Sequence, residues 1–77
     1  MNEFNRKTGV WLKAKRKNAK ITQKTVNQLL GKGDTFTHDI EAGRQNILFN
    51  DLLKIIELYQ ADITELSNYV NDKKGND

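Results

Sequence analysis

Apolar residues recur at helical spacing along the chain, and the longest such pattern runs from residue 49 to residue 59. Within it, apolar side chains return every three or four positions and form one broad face, which is typical of an amphipathic helix. No alternating apolar segment is bounded by hairpin turns, so the sequence predicts no strands. The apolar residues of this predicted helix are Phe49, Leu52, Leu53, Ile55, Ile56, Leu58 and Tyr59.

Capping residues mark two shorter helices in the first part of the chain. Thr8 is placed to cap a helix that continues through roughly Lys17, with Gly9, a poor helix former, in its first turn. After a turn, Thr22 is a favourable N-cap for a second helix that reaches about Leu30. The residues expected on the apolar side of this second helix are Val26, Leu29 and Leu30.

Glycines and a pair of capping candidates mark a third helix. Gly31 and Gly33 end the second helix. Either Asp34 or Thr35 then begins the third, and Gly43 ends it as the glycine that follows a helix C-cap. The three central elements are therefore short and closely spaced.

A last short helix is expected to begin at Asp62 or Thr64. The polar residues 71–77 are predicted to form a disordered tail. The chain is thus predicted to be one all-α domain over residues 1–70, with five short helices packed as a bundle. The apolar residues of the last helix are Ile63, Leu66, Tyr69 and Val70.

Composition argues against several classes of protein. The 77 residues include no cysteine and a single histidine, His38, so we expect no disulfide and no metal site built on these ligands. No glycine-rich phosphate loop leads into a lysine and serine, so we expect no enzyme, no cofactor and no small-molecule substrate. No apolar run approaches the roughly 20 residues that span a bilayer, and the first residues lack the apolar core of a secretory signal. A cytoplasmic protein without membrane contact is expected.

The net charge of +3 is unevenly distributed along the chain. Residues 1–24 carry eight basic and one acidic residue, a net charge of +7, whereas residues 25–77 carry five basic and nine acidic residues, a net charge of −4. This asymmetry favours a nucleic-acid face or an acidic partner at the basic end. A solvated, lysine-rich helix is the alternative.

Residues 22–42 have the order of a helix-turn-helix motif. Gly31 stands where the turn needs a left-handed backbone conformation, which glycine adopts at no steric cost. In such motifs the second helix lies in the major groove while the first crosses the DNA backbone. The start of the first motif helix, with Thr22 and Gln23, is suited to hold a phosphate.

The order and spacing of these residues resemble the small all-helical domains of the lambda repressor and Cro type, the XRE-like helix-turn-helix family. The resemblance extends over roughly residues 9–66 and implies a compact five-helix, lambda-repressor-like bundle. The residues that carry it are Gly9, Leu12, Arg16, Ile21, Thr22, Gln23, Val26, Leu30, Gly31, Ile40, Glu41, Gly43, Arg44, Leu52, Leu53, Ile55 and Ile63–Leu66.

The resemblance also implies roles for individual residues. Arg16 and Glu41 are expected to form an ion pair beneath the surface, tying the first helix to the end of the third. The positions that face the bases in this family correspond to Asp34, Thr35, Phe36 and Asp39, and His38 lies nearby. Residues expected to hold phosphates or to lie beside them are Gln23, Lys24, Lys32, Arg44 and Asn46.

The two motif helices depart from the family pattern. Asn27 replaces a small alanine between them, where it either widens the gap or forms hydrogen bonds across it. Thr37 occupies a position that is usually apolar and buried. Asp34 and Asp39 make the third helix acidic. Each can accept from cytosine N4, but each also repels phosphate, and phosphate contacts dominate affinity for DNA.

Aromatic residues leave further alternatives open. Val10 and Trp11 replace exposed polar residues of the family, and Lys15 replaces an apolar one. Trp11 either turns into the core or stays exposed. Phe36 either contacts a thymine methyl or a partner pocket, or packs in the protein's own core. Asp34 is alternatively no more than a helix cap.

Two functions follow from the resemblance and its departures. The first is a small phage or bacterial transcriptional regulator that binds double-stranded operator DNA in the cytoplasm of a bacterial host, as a Cro-like repressor or antitoxin. The second is an antirepressor, or modulator of repression, whose acidic third helix masks the DNA-binding surface of a partner repressor. Tyr69 and Val70 either pack across a two-fold axis in a homodimer or cover the protein's own core. A DNA reader is expected to place lysines beside the third helix; the candidates are Lys13, Lys17, Lys20 and Lys24.

Overall fold

The computed structural model describes residues 2–71, and this part of the chain is all-α. Its five helices are α1 (Glu3–Asn18), α2 (Gln23–Leu29), α3 (Phe36–Glu41), α4 (Phe49–Tyr59) and α5 (Ile63–Val70). No strand occurs within the described residues, so the prediction of a small all-α bundle is confirmed. The tail expected over residues 71–77 lies outside the described residues, apart from Asn71.

The core draws on all five helices. α1 runs through the middle of the fold and packs against α3, α4 and α5, while α2 packs against α3. The most deeply buried apolar side chains include Leu12 of α1, Val26 of α2 and Ile55 of α4. Ile40 of α3 and Leu66 of α5 complete the cluster. The short helices are therefore held by shared tertiary burial rather than by their own length.

The first helix begins earlier than the sequence predicts. Asn2, not Thr8, is its N-cap, and the Asn2 side chain accepts a hydrogen bond of 2.7 Å from the backbone N–H of Asn5. Glu3 then pairs with Arg6 one turn later. Thr8 lies buried inside α1. The prediction was wrong because threonine and asparagine are both good caps, and the earlier cap lets α1 gain another turn and a half.

Gly9 lies inside α1 because α3 packs directly onto its backbone. A Cβ atom at Gly9 would lie 2.5 Å from the carbonyl oxygens of both Ile40 and Glu41. The residue that looked like a weak helix start is thus a contact point between two helices. It sets the distance at which the end of α3 crosses α1.

α2 and α3 form the expected helix-turn-helix pair of elements. The Thr22 hydroxyl accepts from the backbone N–H of Thr25, as predicted for an N-cap. Gly31 has φ 67° in the turn, and Gly43 has φ 76° just past α3, so both adopt the left-handed conformation. α3 has Thr35 at its N-cap, without a side-chain cap bond.

Of the two starts expected for α3, Thr35 is the one present, so Asp34 is not the cap of this helix. One expectation about α2 was wrong. Leu29 was expected on the apolar side of α2 but is 64% exposed. Val26 and Leu30 face the core instead, and a seven-residue helix has room for only one such stripe.

The last two helices follow their predicted boundaries closely. α4 ends at Tyr59, followed by Gln60 in the left-handed conformation with φ 56°. Asp62 caps α5 by accepting from the backbone N–H of Thr64. None of the helices in residues 2–71 combines the length and the apolar character needed to cross a membrane.

Candidate functional site

A buried ion pair joins α1 to the end of α3, at the place where the resemblance implies one. Arg16 Nε donates to Glu41 Oε2 at 2.7 Å, and Arg16 Nη2 donates to Glu41 Oε1 at 3.3 Å. The guanidinium also donates to the Ile21 carbonyl at 2.8 Å. The hydrogen bond to Glu41 raises the pKa of Arg16 above its ordinary value. The pair therefore fixes α3 to α1 and to the start of α2.

Gln23 is half-buried and extends this network to the start of α2. Its Nε2 donates to Glu41 Oε1 at 2.9 Å, so Glu41 receives donors from two helices. Gln23 was expected to hold a phosphate from the start of α2. Its amide is instead engaged inside the fold, where it helps to satisfy a carboxylate that would otherwise lack partners.

Asn27 and Thr37, two departures from the family pattern, contact each other. Asn27 Oδ1 accepts from the Thr37 hydroxyl at 2.6 Å and from the Thr37 backbone N–H at 3.0 Å. Asn27 Nδ2 donates to the Asp34 carbonyl at 3.0 Å. Both side chains are buried. Of the two alternatives for Asn27, hydrogen bonding across the gap is the one present, and it joins α2 to the end of the turn and to the first turn of α3.

Lys32 and Phe36 are tied to the body of the protein. Lys32 Nζ lies 3.0 Å from the buried carboxylate of Asp51 in α4 and 5.4 Å from the centre of the Phe36 ring. Phe36 is half-buried and packs against the core. Its predicted role as an exposed base contact or partner anchor is therefore not supported, because one side of the ring faces the core and Lys32 lies over the ring.

Asp39 and Arg44 form an ion pair across the end of α3. Arg44 Nη1 lies 3.3 Å from Asp39 Oδ1, and the Arg44 backbone N–H donates to the Asp39 carbonyl at 2.9 Å. The Arg44 side chain is 61% exposed, so its guanidinium keeps donors that face solvent. One of the two acids expected to repel phosphate is thus partly neutralised.

The remaining predicted site residues are exposed. Thr35 and His38 lie on the outer side of α3, and Asn46 lies on the connection that follows it. Lys24 and Asp34 line a shallow groove of about 440 Å³ between α2 and the start of α3. At least one lysine of the basic segment therefore lies beside the turn that leads into α3.

The alternative positions for Trp11 are resolved by its burial. Trp11 turns inward and is 5% exposed. Its Nε1 donates to Glu65 Oε2 of α5 at 3.2 Å, and Lys15 Nζ lies 2.6 Å from the same oxygen. These three side chains clamp α5 onto α1. Trp11 and Lys15 thus serve the fold rather than an exposed binding face.

The sequence did not single out Asp51, although a signal for it was present. Asp51 lies four residues before Ile55 and eight before Tyr59, so it shares the buried face of α4. An acid on an apolar helix face needs a partner. Lys32, in the turn between α2 and α3, supplies it.

Comparison of the chain with models of protein families, with curated proteins and with solved structures gives no match.

Proposed function

We propose that the chain is a small transcriptional regulator that binds double-stranded operator DNA through α2 and α3. The observation that carries the proposal is the placement of a cation before and after α3. Lys24 lines the groove between α2 and the turn that leads into α3, with Asp34, and Arg44 follows the end of α3 with an exposed guanidinium. Such cations can neutralise phosphates on either side of a helix that reads bases.

The size and chemistry of α3 fit the major groove. Its six residues make a helix about 9 Å long, and a major groove about 12 Å wide admits one helix. Thr35 and His38, both exposed, offer neutral donors and acceptors to base edges. The exposed Asp34 carboxylate accepts from cytosine N4. Phe36 is not part of this reading surface.

The test is a titration of the purified protein into labelled random-sequence duplex at several salt concentrations. A DNA-binding protein gives measurable affinity at low salt, and log affinity falls with log salt by about 0.9 for each phosphate neutralised. Selection from a randomised duplex pool then identifies the operator. Replacement of His38 by alanine serves as the variant that changes base preference while leaving the salt slope unchanged.

A second function is favoured by one observation. Asp34 carries an exposed carboxylate on the motif surface, and no ion pair engages it within residues 2–71. An acidic motif surface is complementary to the basic DNA-binding face of a partner repressor, which it would mask. Asp34→Asn distinguishes the two functions, since it strengthens non-specific DNA binding under the first and weakens partner binding under the second.

A further inference from the structure

We infer that α1 supplies the main phosphate-holding surface of this protein, through Lys13 and Lys17, and that α3 supplies base discrimination. The inference rests on the proposed function and divides it between two elements. Affinity comes from the basic flank of α1, which continues into Lys20 and Lys24. The motif helix itself, with two acids, contributes little to affinity.

The first step is that most of the cations and donors expected to hold phosphates are already engaged. Gln23 donates to Glu41, Lys32 pairs with Asp51 and Arg44 pairs with Asp39. A donor bound to a carboxylate must break or share that contact before it can neutralise a phosphate. The motif therefore has fewer available cations than its sequence suggests.

The second step is the position of the lysines on α1. Gly9 lies against the carbonyl groups of Ile40 and Glu41, so that side of α1 meets the end of α3. Lys13 follows Gly9 by four residues and Lys17 follows Lys13 by four, so both lie on the same flank of the helix. By this spacing, the flank adjoins the side of α1 that meets the end of α3. Lys13 and Lys17 are exposed.

The third step is the charge of this flank. Ion pairs within the described part of the chain involve Lys15, Arg16 and Arg6 of α1, but neither Lys13 nor Lys17. Exposed Lys20 and Lys24 follow this flank along the chain, and Lys24 lines the groove between α2 and the turn before α3. A row of unpaired cations next to a reading helix is the electrostatic footprint of a surface that tracks a phosphate backbone.

The fourth step concerns the two acids at the motif surface. Asp34 lies in the turn before α3 and is exposed, whereas Asp39 of α3 is partly covered by Arg44. Because each carboxylate opposes phosphate, α3 subtracts from affinity at every DNA sequence and recovers some of it only where a base donates to it. α3 can discriminate between bases only if another element supplies the attraction to phosphates. α1 is the element with available cations.

The test compares two double variants that each remove two positive charges. Lys13→Gln/Lys17→Gln removes the flank beside α3. Lys7→Gln/Lys54→Gln is the control, since Lys7 lies two residues from Gly9 on a different side of α1 and Lys54 lies on α4. Affinity for random-sequence duplex is measured against salt for both variants and for the unmodified chain.

The flank variant is expected to bind about 10- to 100-fold more weakly at 0.1 M salt, and its salt slope to fall by about 1.8, or 0.9 for each lost phosphate contact. The control is expected to change affinity by less than about threefold, with its slope unchanged, because charges that contact no phosphate release no counterions. The preference for a selected operator over random duplex is expected to stay the same in both variants. Thermal melting checks that both variants remain folded.

Three outcomes overturn the inference, and they differ in what they say of the proposed function. No binding by the unmodified chain at low salt refutes both. An unchanged slope in the flank variant, with binding by the unmodified chain, refutes the role of α1 alone. Equal losses in the flank variant and the control show that net charge acts without a defined surface, and this too refutes only the role of α1.

Discussion

At the scale of single residues, the position of α3 depends on a few buried polar side chains. Glu41 holds it to α1 and α2, and Asn27 holds its first turn to α2 through Thr37. Buried polar groups of this kind contribute specificity because losing one partner leaves the other unsatisfied at low dielectric. The motif is thus set by hydrogen bonds that few alternative packings could satisfy.

Replacement of Glu41 by glutamine is expected to destabilise the protein strongly. The Arg16 and Glu41 side chains are 10% and 4% exposed, and removal of one charge from a buried pair costs about 3–5 kcal/mol. In a domain of this size each kcal/mol lowers the melting temperature by about 4–8 °C, so a fall of more than about 10 °C is expected in a thermal melt. Glu57→Gln, at an exposed site of α4, is the matched control. An unchanged melting temperature in the Glu41 variant contradicts the structural role of the pair.

Asn27 and Thr37 are expected to behave as a coupled pair. Asn27→Ala leaves the Thr37 hydroxyl and backbone N–H, and the Asp34 carbonyl, without their partner, at a cost of about 1–3 kcal/mol. Thr37→Val costs less, because Asn27 Oδ1 keeps the backbone N–H. A double-mutant cycle by denaturant unfolding is expected to give a coupling energy of about 0.5–3 kcal/mol. Additive single effects would show that the two side chains act independently; Thr35→Val, at an exposed site, controls for the change of side-chain type.

At the scale of the elements, α1 and α3 meet through backbone at Gly9, in addition to the side-chain pair of Arg16 and Glu41. Gly9 brings the two helices together more closely than any other residue type allows. The geometry of the helix crossing therefore depends on this glycine as well as on the buried ion pair.

Gly9→Ala is expected to destabilise the protein although alanine is the better helix former. The gain in helix propensity is at most about 1 kcal/mol, whereas an added methyl group 2.5 Å from two carbonyl oxygens forces α3 away from α1, and overpacking costs about 1–3 kcal/mol. Gly33→Ala, where a Cβ meets nothing within 4 Å, is expected to change stability by less than about 0.5 kcal/mol. Urea denaturation of the two variants measures the difference. A Gly9 variant as stable as the Gly33 variant refutes the close helix contact.

At the scale of the whole molecule, the sequence pattern predicted features that depend on neighbouring residues. It did not predict contacts between residues that lie far apart along the chain. The period of α4, the Thr22 cap and the Gly43 stop are local patterns, and the structure has all three. The engagement of Gln23 and Lys32 depends on partners 18 and 19 positions away, Glu41 and Asp51. Only the folded chain shows which cations those partners leave available.

The start of α1 and the exposure of Leu29 were missed for a related reason. Two caps competed for the first helix, and Asn2 prevailed over Thr8. Leu29 has an apolar side chain on a short helix, but the packing of α2 leaves it exposed. A sequence pattern identifies the residues that can be buried. The packing of neighbouring helices determines which of those residues are buried.

The contact between Glu65 of α5 and Trp11 of α1 is expected to weaken in acid. Trp11 is the single tryptophan, so its fluorescence is expected to report this change. Glu65 of α5 accepts from Trp11 and pairs with Lys15 of α1. The hydrogen bond from Lys15, and a weaker one from Trp11, hold the pKa of Glu65 below its ordinary value. Because the folded pKa is the lower one, this carboxylate stabilises the fold at neutral pH, and the stabilisation is lost as pH falls through the lowered pKa.

Tryptophan fluorescence followed from pH 7 downward should therefore change only below about pH 4.3, the ordinary pKa of a glutamate side chain. Lys15→Gln is expected to move that change to higher pH, because it removes the main cause of the lowered pKa. Glu65→Gln is expected to abolish it. Glu3→Gln is the matched control, since the Arg6 hydrogen bond lowers the pKa of Glu3 as well, more than two helical turns from Trp11. If the Glu65 variant titrates like the unmodified chain, the Trp11 signal reports another group, and α5 is held to α1 by apolar packing alone.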